Sequence, residues 1–416
     1  MCGISGFCNL HTDFLEREPY YRNILSDMSD ALYHRGPDSH GIYLTSHTGF
    51  SHTRLAIIDP HGGLQPMTRH YCDADFTIVY NGELYNTKEL REELVSHGMT
   101  FRTHSDTEVI LNGFLFEGPS FVRKMNGIFA FAIYDEAHQL LYLFRDAFGV
   151  KPLFYRLFHD TLIFSSEPKG IFCYPGCIPS VNKTGLSEIF GLGPARNPGN
   201  AVYEHMAECL PGHYLTFSAS GLKDYCYFRL ESHPHTDSYE ETVVHTKELL
   251  LQSIRRRISY LNIRYFMQTL LNRMDRTSMF SGLEARVPFA DKNLVSYVFN
   301  VPWEMKAKDG LVKNLLRQCA KDYLPDTITF RKKSPYPKTY HPYYEQLLRQ
   351  RLSALLTTGE SPLLALIDKE KTMQFLNQEG DYGKPWYGQL MAGPQMIAYL
   401  LQIHYWLSEY KIDLHL

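Results

Sequence analysis

The sequence predicts two domains of different fold class: a strand-rich α+β domain over residues 1 to about 215, and an α/β domain over 241–416 represented mainly by its helices. Short apolar runs fill the first half, and the longest, 127–134, suits a buried strand. The second half has wide apolar faces at helical spacing. Between them, 216–240 is predicted to hold terminal strands and a linker, which we place at 231–240 because His, Pro and Ser concentrate there.

Composition limits the class of protein. The 416 residues are 44% apolar and 21% charged, which is typical of a soluble globular chain of two or three domains. A net charge of −3 gives no electrostatic reason to expect nucleic acid or an anionic membrane as partner. We expect no membrane span and no signal peptide. The eight cysteines have no zinc-site spacing, which predicts no metal centre and a reducing, cytoplasmic location.

The N-terminus carries the most informative residue. The chain begins Met-Cys-Gly-Ile, so removal of Met1 would make Cys2 the terminal residue, with both a thiol and a free α-amine. Such an amine titrates near ~7.7–8.0, and part of it is an unprotonated base at neutral pH. The thiolate is a strong nucleophile. One residue can therefore supply nucleophile and general base, as in N-terminal-nucleophile hydrolases.

Further segments supply groups suited to binding glutamine. That substrate requires a guanidinium for its carboxylate, carboxylates for its ammonium group, and two donors for the oxyanion that forms during hydrolysis. The candidates, in that order, are Arg54, then Glu83 and Asp106, then Asn81 and Gly82.

These candidates lie at the ends of predicted elements. A strand over 51–59 contains the arginine, and a strand over 76–80 is predicted to end in a polar turn at 81–86. A helix begins near residue 105, with Ser105 or Asp106 as its N-cap.

Residues 1 to about 215 resemble the class II glutamine amidotransferase domain. The matching motifs occur in the family's order: MCGISG (1–6), HRGPDSHG (34–41), HTRLAIID (52–59), NGELYN (81–86), SDTE (105–108) and RDAFGVKPLFY (145–155). The resemblance implies an α-β-β-α sandwich of the N-terminal-nucleophile hydrolase class. It implies that Cys2 is the nucleophile and its own amine the base. It also implies that the Asn81 side chain and the Gly82 N–H form the oxyanion hole, and that Arg54 holds the substrate carboxylate.

The segment that starts at His34 is more ambiguous. Arg35 and Asp38 could contact substrate, but Gly36 and Pro37 between them are typical of a turn. We interpret it as a loop near the mouth of the pocket, with an architectural role.

Residues from about 261 to 416 resemble the asparagine synthetases. The matching segments are FMQTLLNRMDR (266–276), GLEARVPFAD (282–291) and KNLLR (313–317). The resemblance implies that ATP, with Mg²⁺, activates the carboxylate of aspartate as an adenylate, which ammonia from glutamine then attacks. It places Lys313 beside the reacting phosphate, where a cation offsets charge. We interpret Arg286 as a structural residue of the synthetase site, paired with Glu284 or Asp291.

The sequence departs from that family at the ATP site. The family's SGGxDS pyrophosphate loop and its acidic Gly-rich segment belong between residues 254–259 and 260–264, and neither occurs. No room exists there for a βαβ unit of about 30 residues. Either about one domain, on the order of 100–200 residues, belongs to the protein beyond this sequence, or the deletion is genuine. We favour the first because the helices of 261–416 have apolar faces that normally cover a sheet.

The predicted function is a glutamine-dependent asparagine synthetase acting on glutamine, aspartate or a related carboxylate, and ATP. Amidation of another carboxylate by the same mechanism stays open, and so does a homodimer. A genuine deletion would instead leave a glutaminase or a non-catalytic pseudo-synthetase subunit. Because ammonia must travel as neutral NH₃, an apolar passage is expected, with 127–134 and 282–290 as candidate lining.

Overall fold

The computed structural model describes residues 2–55, 62–192, 196–256, 274–278, 291–331, 342–378 and 393–416. Two compact units divide the chain. The first comprises Met1–Cys177, Asn197–Ala201 and His205–Arg331, and the second comprises Ile178–Arg196, Val202–Glu204 and Lys332–Leu416. The domain boundaries predicted at 215 and 240 stay predictions.

Most described strands belong to two six-stranded sheets in the first unit. The strands are β1 (Gly3–Cys8), β2 (Ser39–Leu44), β3 (Thr48–Arg54), β4 (Met67–Tyr71), β5 (Ala74–Leu84), β6 (Gly127–Asp135), β7 (Leu140–Arg145), β8 (Phe154–Phe158), β9 (Thr161–Ser165), β10 (Ser180–Asn182), β11 (Ala207–Glu208), β12 (His213–Ser218), β13 (Gly221–Cys226) and β14 (Asp413–His415). The first sheet has the order β11-β8-β9-β1-β3-β2 and the second β13-β12-β7-β6-β5-β4.

Helices cover the outer faces of these sheets. In chain order, the first six helices are α1 (Glu18–Ala31), α2 (Thr87–Ser96), α3 (Asp106–Glu117), α4 (Pro168–Phe172), α5 (Lys183–Leu192), which belongs to the second unit, and α6 (Tyr239–Arg256). α1 and α4 pack on the first sheet, and α3, with α2 against it, packs on the second. Side chains from both sheets form a common core between them. The predicted α-β-β-α sandwich is therefore confirmed.

The strand predicted over 76–80 is longer than expected. β5 continues to Leu84, and its partner β6 follows it to the pair Leu84↔Gly127. The prediction of a polar turn beginning at Asn81 was therefore wrong. Gly82 explains the difference, because a Cβ there would lie 2.3 Å from the carbonyl oxygen of Ile128. A glycine lets β6 approach closely, so the Asn-Gly pair continues the strand.

The helix predicted near residue 105 begins as expected. Ser105 is the N-cap of α3, and its Oγ accepts a hydrogen bond from the backbone N–H of Glu108. α6 lies at the start of the predicted second domain, and residues 257–273 after it lie outside the described part.

Later helices of the first unit pack against the end of β6. The helical residues 274–278 are followed by helices Lys292–Asn300, Trp303–Lys306, Asn314–Ala320 and Asp326–Thr329. Val295 packs with Ile128 and Val150, and Asp291 accepts a hydrogen bond from Asn126. The second half of the sequence thus contacts the sandwich directly.

Several large apolar side chains in these later helices and the loops between them are exposed. They are Phe299, Trp303, Val312, Tyr323, Leu324, Ile328 and Phe330. The interpretation of a missing sheet stays a prediction.

The second unit is built mainly from α5 and three helices, Pro342–Thr358, Lys369–Asn377 and Gly393–Glu409. Ile397, Leu400 and Ile403 of the last helix are buried in its core, and β10 pairs in parallel with β14. In the parts of the chain that the structure describes, none of the helices is both long and apolar enough to span a bilayer.

Candidate active site

Cys2 lies at the start of β1, which runs through the centre of the first sheet between β3 and β9. β1 and β3 are antiparallel with Gly3 opposite Thr53, so the register places Cys2 opposite Arg54 one residue further on. The backbone N–H of Leu55 donates a hydrogen bond toward the Cys2 thiol. The candidate nucleophile and the candidate carboxylate-binding guanidinium are therefore neighbours across one strand pair.

The environment of the thiol keeps it protonated. Burial raises the pKa of the Cys2 thiol, and the Leu55 hydrogen bond and the positive charge of Arg54 offset this only in part. The carboxylate of Asp106 raises that pKa further. Because the thiolate is the reactive form, the thiol needs a base. Once Met1 is removed, the α-amine of Cys2 lies on the same residue as the thiol and can act as this base.

The backbone that follows the nucleophile is held tightly. Gly3 donates its N–H to Thr53 Oγ1 at 3.0 Å, and Ile4 donates its N–H to Ser166 Oγ at 3.0 Å. A Cβ at Gly3 would lie 2.5 Å from Thr53 Oγ1, so a larger residue would displace this contact. These hydrogen bonds fix the backbone at the start of β1 and therefore the position of Cys2, which precedes it.

β5 extends past the end of its partner β4, and along this stretch its edge opposite β6 carries backbone N–H groups that are not used in sheet pairing. The N–H of Tyr80 donates to Gln65 Oε1 at 2.6 Å, and the N–H of Leu84 donates to Asp106 Oδ2 at 3.2 Å. Alternate residues of a strand direct their N–H groups to the same edge. Gly82 lies midway between these two, so its N–H also points to this edge. That is where the sequence predicts half of an oxyanion hole.

The amide of Asn81 is the most unusual polar group of the site. The side chain is fully buried, and neither Nδ2 nor Oδ1 has a hydrogen-bond partner among the described residues. An unsatisfied buried polar group costs about 1–3 kcal/mol. A folded protein retains such a cost where the group serves a ligand or a reaction. The geometry therefore supports the oxyanion role, which stays a prediction.

Asp106 is held at the N-terminus of α3. Its carboxylate accepts hydrogen bonds from the Tyr80 hydroxyl at 2.8 Å and from the Thr107 N–H at 3.0 Å. Burial raises the pKa of Asp106, and these hydrogen bonds oppose the rise. The Ser105 cap and Glu108, which accepts from the loop before the helix, fix this end of α3. The carboxylate is thus placed at the open edge of β5.

The two remaining glutamine-binding candidates, Arg54 and Glu83, lie on β3 and β5. Arg54 is 5% exposed at the end of β3, and its carbonyl accepts the N–H of Asp38 at 3.0 Å. A Cβ at Gly36 would lie 2.5 Å from the Arg54 nitrogen, so the loop needs glycine there. Glu83 lies two residues after Asn81, on the same face of β5. Their substrate-binding roles stay predictions.

Arg35 fits the architectural interpretation of its loop. It is fully buried, and its Nε donates to the carbonyl of Cys2 at 3.3 Å. Its Nη1 donates to Glu167 at 2.9 Å and its Nη2 to Asp275 at 2.8 Å. The side chain therefore lies behind the nucleophile as a structural support.

Several contacts of the site could not be predicted. Gln65 has no motif around it, yet its Oε1 accepts from Tyr80 and its Nε2 donates to Thr107 Oγ1 at 3.2 Å. Tyr80 itself reads as an ordinary strand aromatic. A Tyr immediately before an Asn-Gly pair is the one local signal that could have identified it.

His52 joins the two sheets beside the site. Its Nε2 lies 3.2 Å from the carbonyl oxygen of Tyr80, the residue before Asn81. Burial lowers the pKa of His52 to about 3. The ring is therefore neutral at neutral pH, and the contact to a carbonyl requires Nε2 to carry the proton and donate it.

This histidine predicts an acid sensitivity of the fold. The unfolded chain binds a proton at His52 below about pH 6.5, whereas the folded protein resists doing so until about pH 3, so folding free energy is lost as pH falls through this window. Between pH 7.5 and 5.0 the loss from this residue is about 2 kcal/mol. Urea unfolding at both pH values measures it. In His52→Gln the amide can still donate to the carbonyl of Tyr80, but no group titrates, so its free energy of unfolding should fall by that much less between the two pH values. An equal fall in the parent and the variant would contradict the assignment of this effect to His52.

The structure describes one of the two candidates for the synthetase site. Lys313 precedes helix Asn314–Ala320 in a left-handed conformation, and its exposed side chain forms no ion pair or hydrogen bond among the described residues. Arg286 lies outside the described residues. Asp291, one of its two predicted partners, caps helix Lys292–Asn300 and accepts from Asn126. Both roles stay predictions.

The motif at 145–155 builds a loop instead of a binding group. Asp146 accepts hydrogen bonds from the N–H groups of Phe148, Val150 and Lys151. Arg145 donates to the carbonyls of Lys151 and Gly149. This loop fixes Lys151 in the interior, where its Nζ lies 3.6 Å from a carboxylate oxygen of Asp275.

The described residues do not fit ATP or a metal. Binding a pyrophosphate group requires a Gly-rich loop between a strand and a helix. In the described ranges after residue 241, the short strand β14 is the one strand, and no such loop precedes a helix. The described residues of the whole chain contain no cluster of three His, Cys, Asp or Glu side chains placed for a metal ion.

Comparison with known families gives two overlapping matches. The glutamine amidotransferase domain matches residues 1–228, and the asparagine synthase family matches residues 202–408. Asparagine synthetase [glutamine-hydrolyzing] 3 of Bacillus subtilis (strain 168) is 31% identical, with all of both chains covered. That alignment has 615 positions against 416 residues here, so roughly a third of it has no counterpart in this sequence.

Other relatives match in part. Asparagine synthetase [glutamine-hydrolyzing] 1 of the same organism is 33% identical over 61% of this chain, which spans 39% of that protein. Among solved structures, the glutamine phosphoribosylpyrophosphate amidotransferase of B. subtilis, complexed with ADP and GMP, has a TM-score of 0.41 and 17% identity, over 68% of this chain and 64% of that one. From the two family matches and the full-length relative, the chain belongs to the glutamine-hydrolysing asparagine synthetase family.

Proposed function

We propose that this protein is a glutamine-dependent asparagine synthetase and that the sandwich of this chain performs its first half-reaction, the hydrolysis of glutamine to glutamate and ammonia. The observation that carries the proposal is the buried amide of Asn81, which has no hydrogen-bond partner among the described residues, next to the N–H of Gly82. β5, which bears both, packs against β1, at whose start Cys2 lies.

The proposed reaction uses the residues in sequence. The α-amine of processed Cys2 accepts the thiol proton, and the thiolate attacks the side-chain carbonyl carbon of glutamine. The oxyanion that forms accepts hydrogen bonds from Asn81 Nδ2 and the Gly82 N–H. The protonated amine then gives its proton to the departing nitrogen, and ammonia leaves. Water attacks the remaining thioester, glutamate is released, and the thiol is restored.

Charge in the site suits an amino-acid substrate. Arg54, buried next to Cys2, would hold the α-carboxylate through paired hydrogen bonds. Glu83 and Asp106 would hold the α-ammonium group. Asp106 is already placed by the Tyr80 hydroxyl and by backbone donors, so the cation would meet a fixed carboxylate.

The second half-reaction rests on the family alone. Its members would use ATP with Mg²⁺ to activate the carboxylate of aspartate or a related acid, and Lys313 and Arg286 stay the candidates on this chain. The residues described here do not fit ATP, so we derive no step through it. A dimer and a cytoplasmic location likewise belong to the proposal.

A glutaminase without synthetase activity is the second candidate. The absence from this sequence of any Gly-rich pyrophosphate loop favours it. The intact mass of the protein from its natural source separates the two candidates. A mass near 48.2 kDa less Met1 would favour the glutaminase, whereas a mass larger by about one domain, ~10–20 kDa, would favour the synthetase.

Product analysis tests the proposal itself. Purified protein is incubated with glutamine, aspartate, ATP and Mg²⁺, and glutamate and asparagine are both quantified. A second reaction replaces glutamine with an ammonium salt. Glutamate together with asparagine supports the synthetase, and glutamate alone supports the glutaminase. Absence of glutamate in every condition would overturn both.

A further inference from the structure

A cluster of buried ionised side chains lies directly behind the nucleophile. Arg35 is its centre, with one hydrogen bond to the carbonyl of Cys2, one to Glu167 and one to Asp275. Lys151 Nζ lies 3.6 Å from the second carboxylate oxygen of Asp275. Arg35 and Lys151 are fully buried, and Asp275 is 1% exposed.

Each acid of the cluster is held in its charged form. Burial alone would raise the pKa of Asp275, but the positive charges of Arg35 and Lys151 outweigh it and hold that pKa below its usual range. Burial is likewise outweighed at Glu167, whose pKa is lowered by the hydrogen bond from His34 and by the charge of Arg35. The guanidinium therefore lies between two fixed anions.

These anions decide where the third donor of the guanidinium points. Because the guanidinium is planar and rigid, bonds from Nη1 to Glu167 and from Nη2 to Asp275 set the orientation of the whole group. Nε then meets the carbonyl of Cys2. Loss of one anion would let Arg35 turn toward the other and would move Nε away from that carbonyl.

The two anions come from different parts of the sequence. Glu167 lies within the amidotransferase match, which ends at residue 228. Asp275 lies beyond that end, in the asparagine synthase match and among the helical residues 274–278. The backbone of the nucleophile is therefore joined to the synthetase part of the chain through a single side chain.

We propose that Arg35 is a positioning residue for Cys2 and that its alignment depends on Asp275, so that the synthetase part of the chain controls the rate of glutamine hydrolysis. This rests on the proposed glutaminase reaction. The carbonyl of Cys2 belongs to the residue that carries both the thiol and the amine, so rotation of its peptide group displaces both. Arg54 and Asp106, which would bind substrate, belong to other strands and helices and keep their places.

The central variant is Asp275→Asn, which removes the charge with little change in shape. It is expected to lower kcat for glutamine hydrolysis about 10- to 100-fold, because displacements near 1 Å have effects of this size. KM for glutamine should stay within about twofold. Arg35→Lys keeps the charge but cannot reach three acceptors, and should lower kcat similarly. The double variant should be no slower than Arg35→Lys, because both changes act through one group.

Asp291→Asn is the matched control. Asp291 is also buried, lies in the same part of the first unit beyond residue 273, and accepts a hydrogen bond from Asn126 of the sandwich. Among the described residues, no hydrogen bond or ion pair joins it to the cluster. Its kcat should stay within about twofold of the parent. Equal losses in Asp275→Asn and Asp291→Asn would mean that loosening of packing, not alignment of Cys2, is responsible, and would overturn the inference.

A second readout does not require turnover. Alkylation by iodoacetamide, followed by tandem mass spectrometry of the N-terminal peptide, reports the reactivity of Cys2, because the fragments distinguish it from Cys8. We expect slower alkylation in Asp275→Asn than in Asp291→Asn. If Asp275→Asn does not fold, Arg35→Lys provides the same comparison. If hydrolysis by the parent requires Cys2, a kcat and an alkylation rate in Asp275→Asn and Arg35→Lys equal to those of the parent would refute the positioning role. A parent with no Cys2-dependent hydrolysis would refute the proposed function instead.

Discussion

Cys2→Ala is expected to lower kcat/KM for glutamine hydrolysis by about 10³-fold or more, since it removes the nucleophile while leaving the α-amine in place. Glutamate release from glutamine measures the effect. Fold and stability should change little, because the side chain is only partly buried and lies at the end of β1. In a form of the protein that makes asparagine, formation from ammonium salts should be retained.

Cys8→Ala is the matched control for this variant. Cys8 lies in the same strand, fully buried, and burial raises the pKa of its thiol to about 12. It has no thiolate at neutral pH and should leave glutamate release within about twofold of the parent. A parent-like rate in Cys2→Ala would show that the N-terminal cysteine is not the nucleophile, and would leave a scaffold or regulatory role for the chain.

Asn81→Leu is expected to inactivate the site and to stabilise the fold at the same time. Loss of one oxyanion donor typically lowers kcat about 10²- to 10³-fold, with a smaller change in KM. The buried amide has no partner among the described residues, so an apolar side chain of similar branching should raise the free energy of unfolding by about 1 kcal/mol. Steady-state kinetics and urea unfolding test the two effects separately.

Asn112→Leu provides the comparison. Asn112 is also fully buried, and its Oδ1 likewise has no hydrogen-bond partner among the described residues, but its Nδ2 donates to the carbonyl of Thr100 at 2.9 Å. That change should lower the free energy of unfolding, because a carbonyl loses its donor, and leave kcat unchanged. A loss of stability in Asn81→Leu as large as in Asn112→Leu would argue that the Asn81 amide is satisfied in the free protein and is not held for the reaction.

Local patterns predicted what depends on local structure. The sequence Ser-Asp-Thr-Glu identified the start of α3 because an N-cap needs an acceptor just before the helix, and Ser105 provides it. The same reasoning failed at Asn81 and Gly82. An Asn-Gly pair usually marks a hairpin turn, but here the close approach of β6, which only a glycine permits, extends the strand.

Contacts between distant segments were beyond reach of the sequence. Arg35 and Asp275 are 240 positions apart, and each alone resembles a common surface or helix residue. His52 was visible in its motif, yet nothing in the sequence indicates that its ring meets the carbonyl of Tyr80 on the other sheet. Such pairs are set by how the two sheets stack, and no period or cap in the sequence reports that.

Trapping of the acyl-enzyme would show whether processed Cys2 attacks glutamine. The protein is mixed with glutamine, quenched in acid during turnover, digested, and its N-terminal peptide analysed by mass spectrometry. We expect a peptide that begins at Cys2, lacks Met1 and carries one glutamyl group, and that is absent from Cys2→Ala. A peptide that retains Met1, or a glutamyl group on any other residue, would contradict the account.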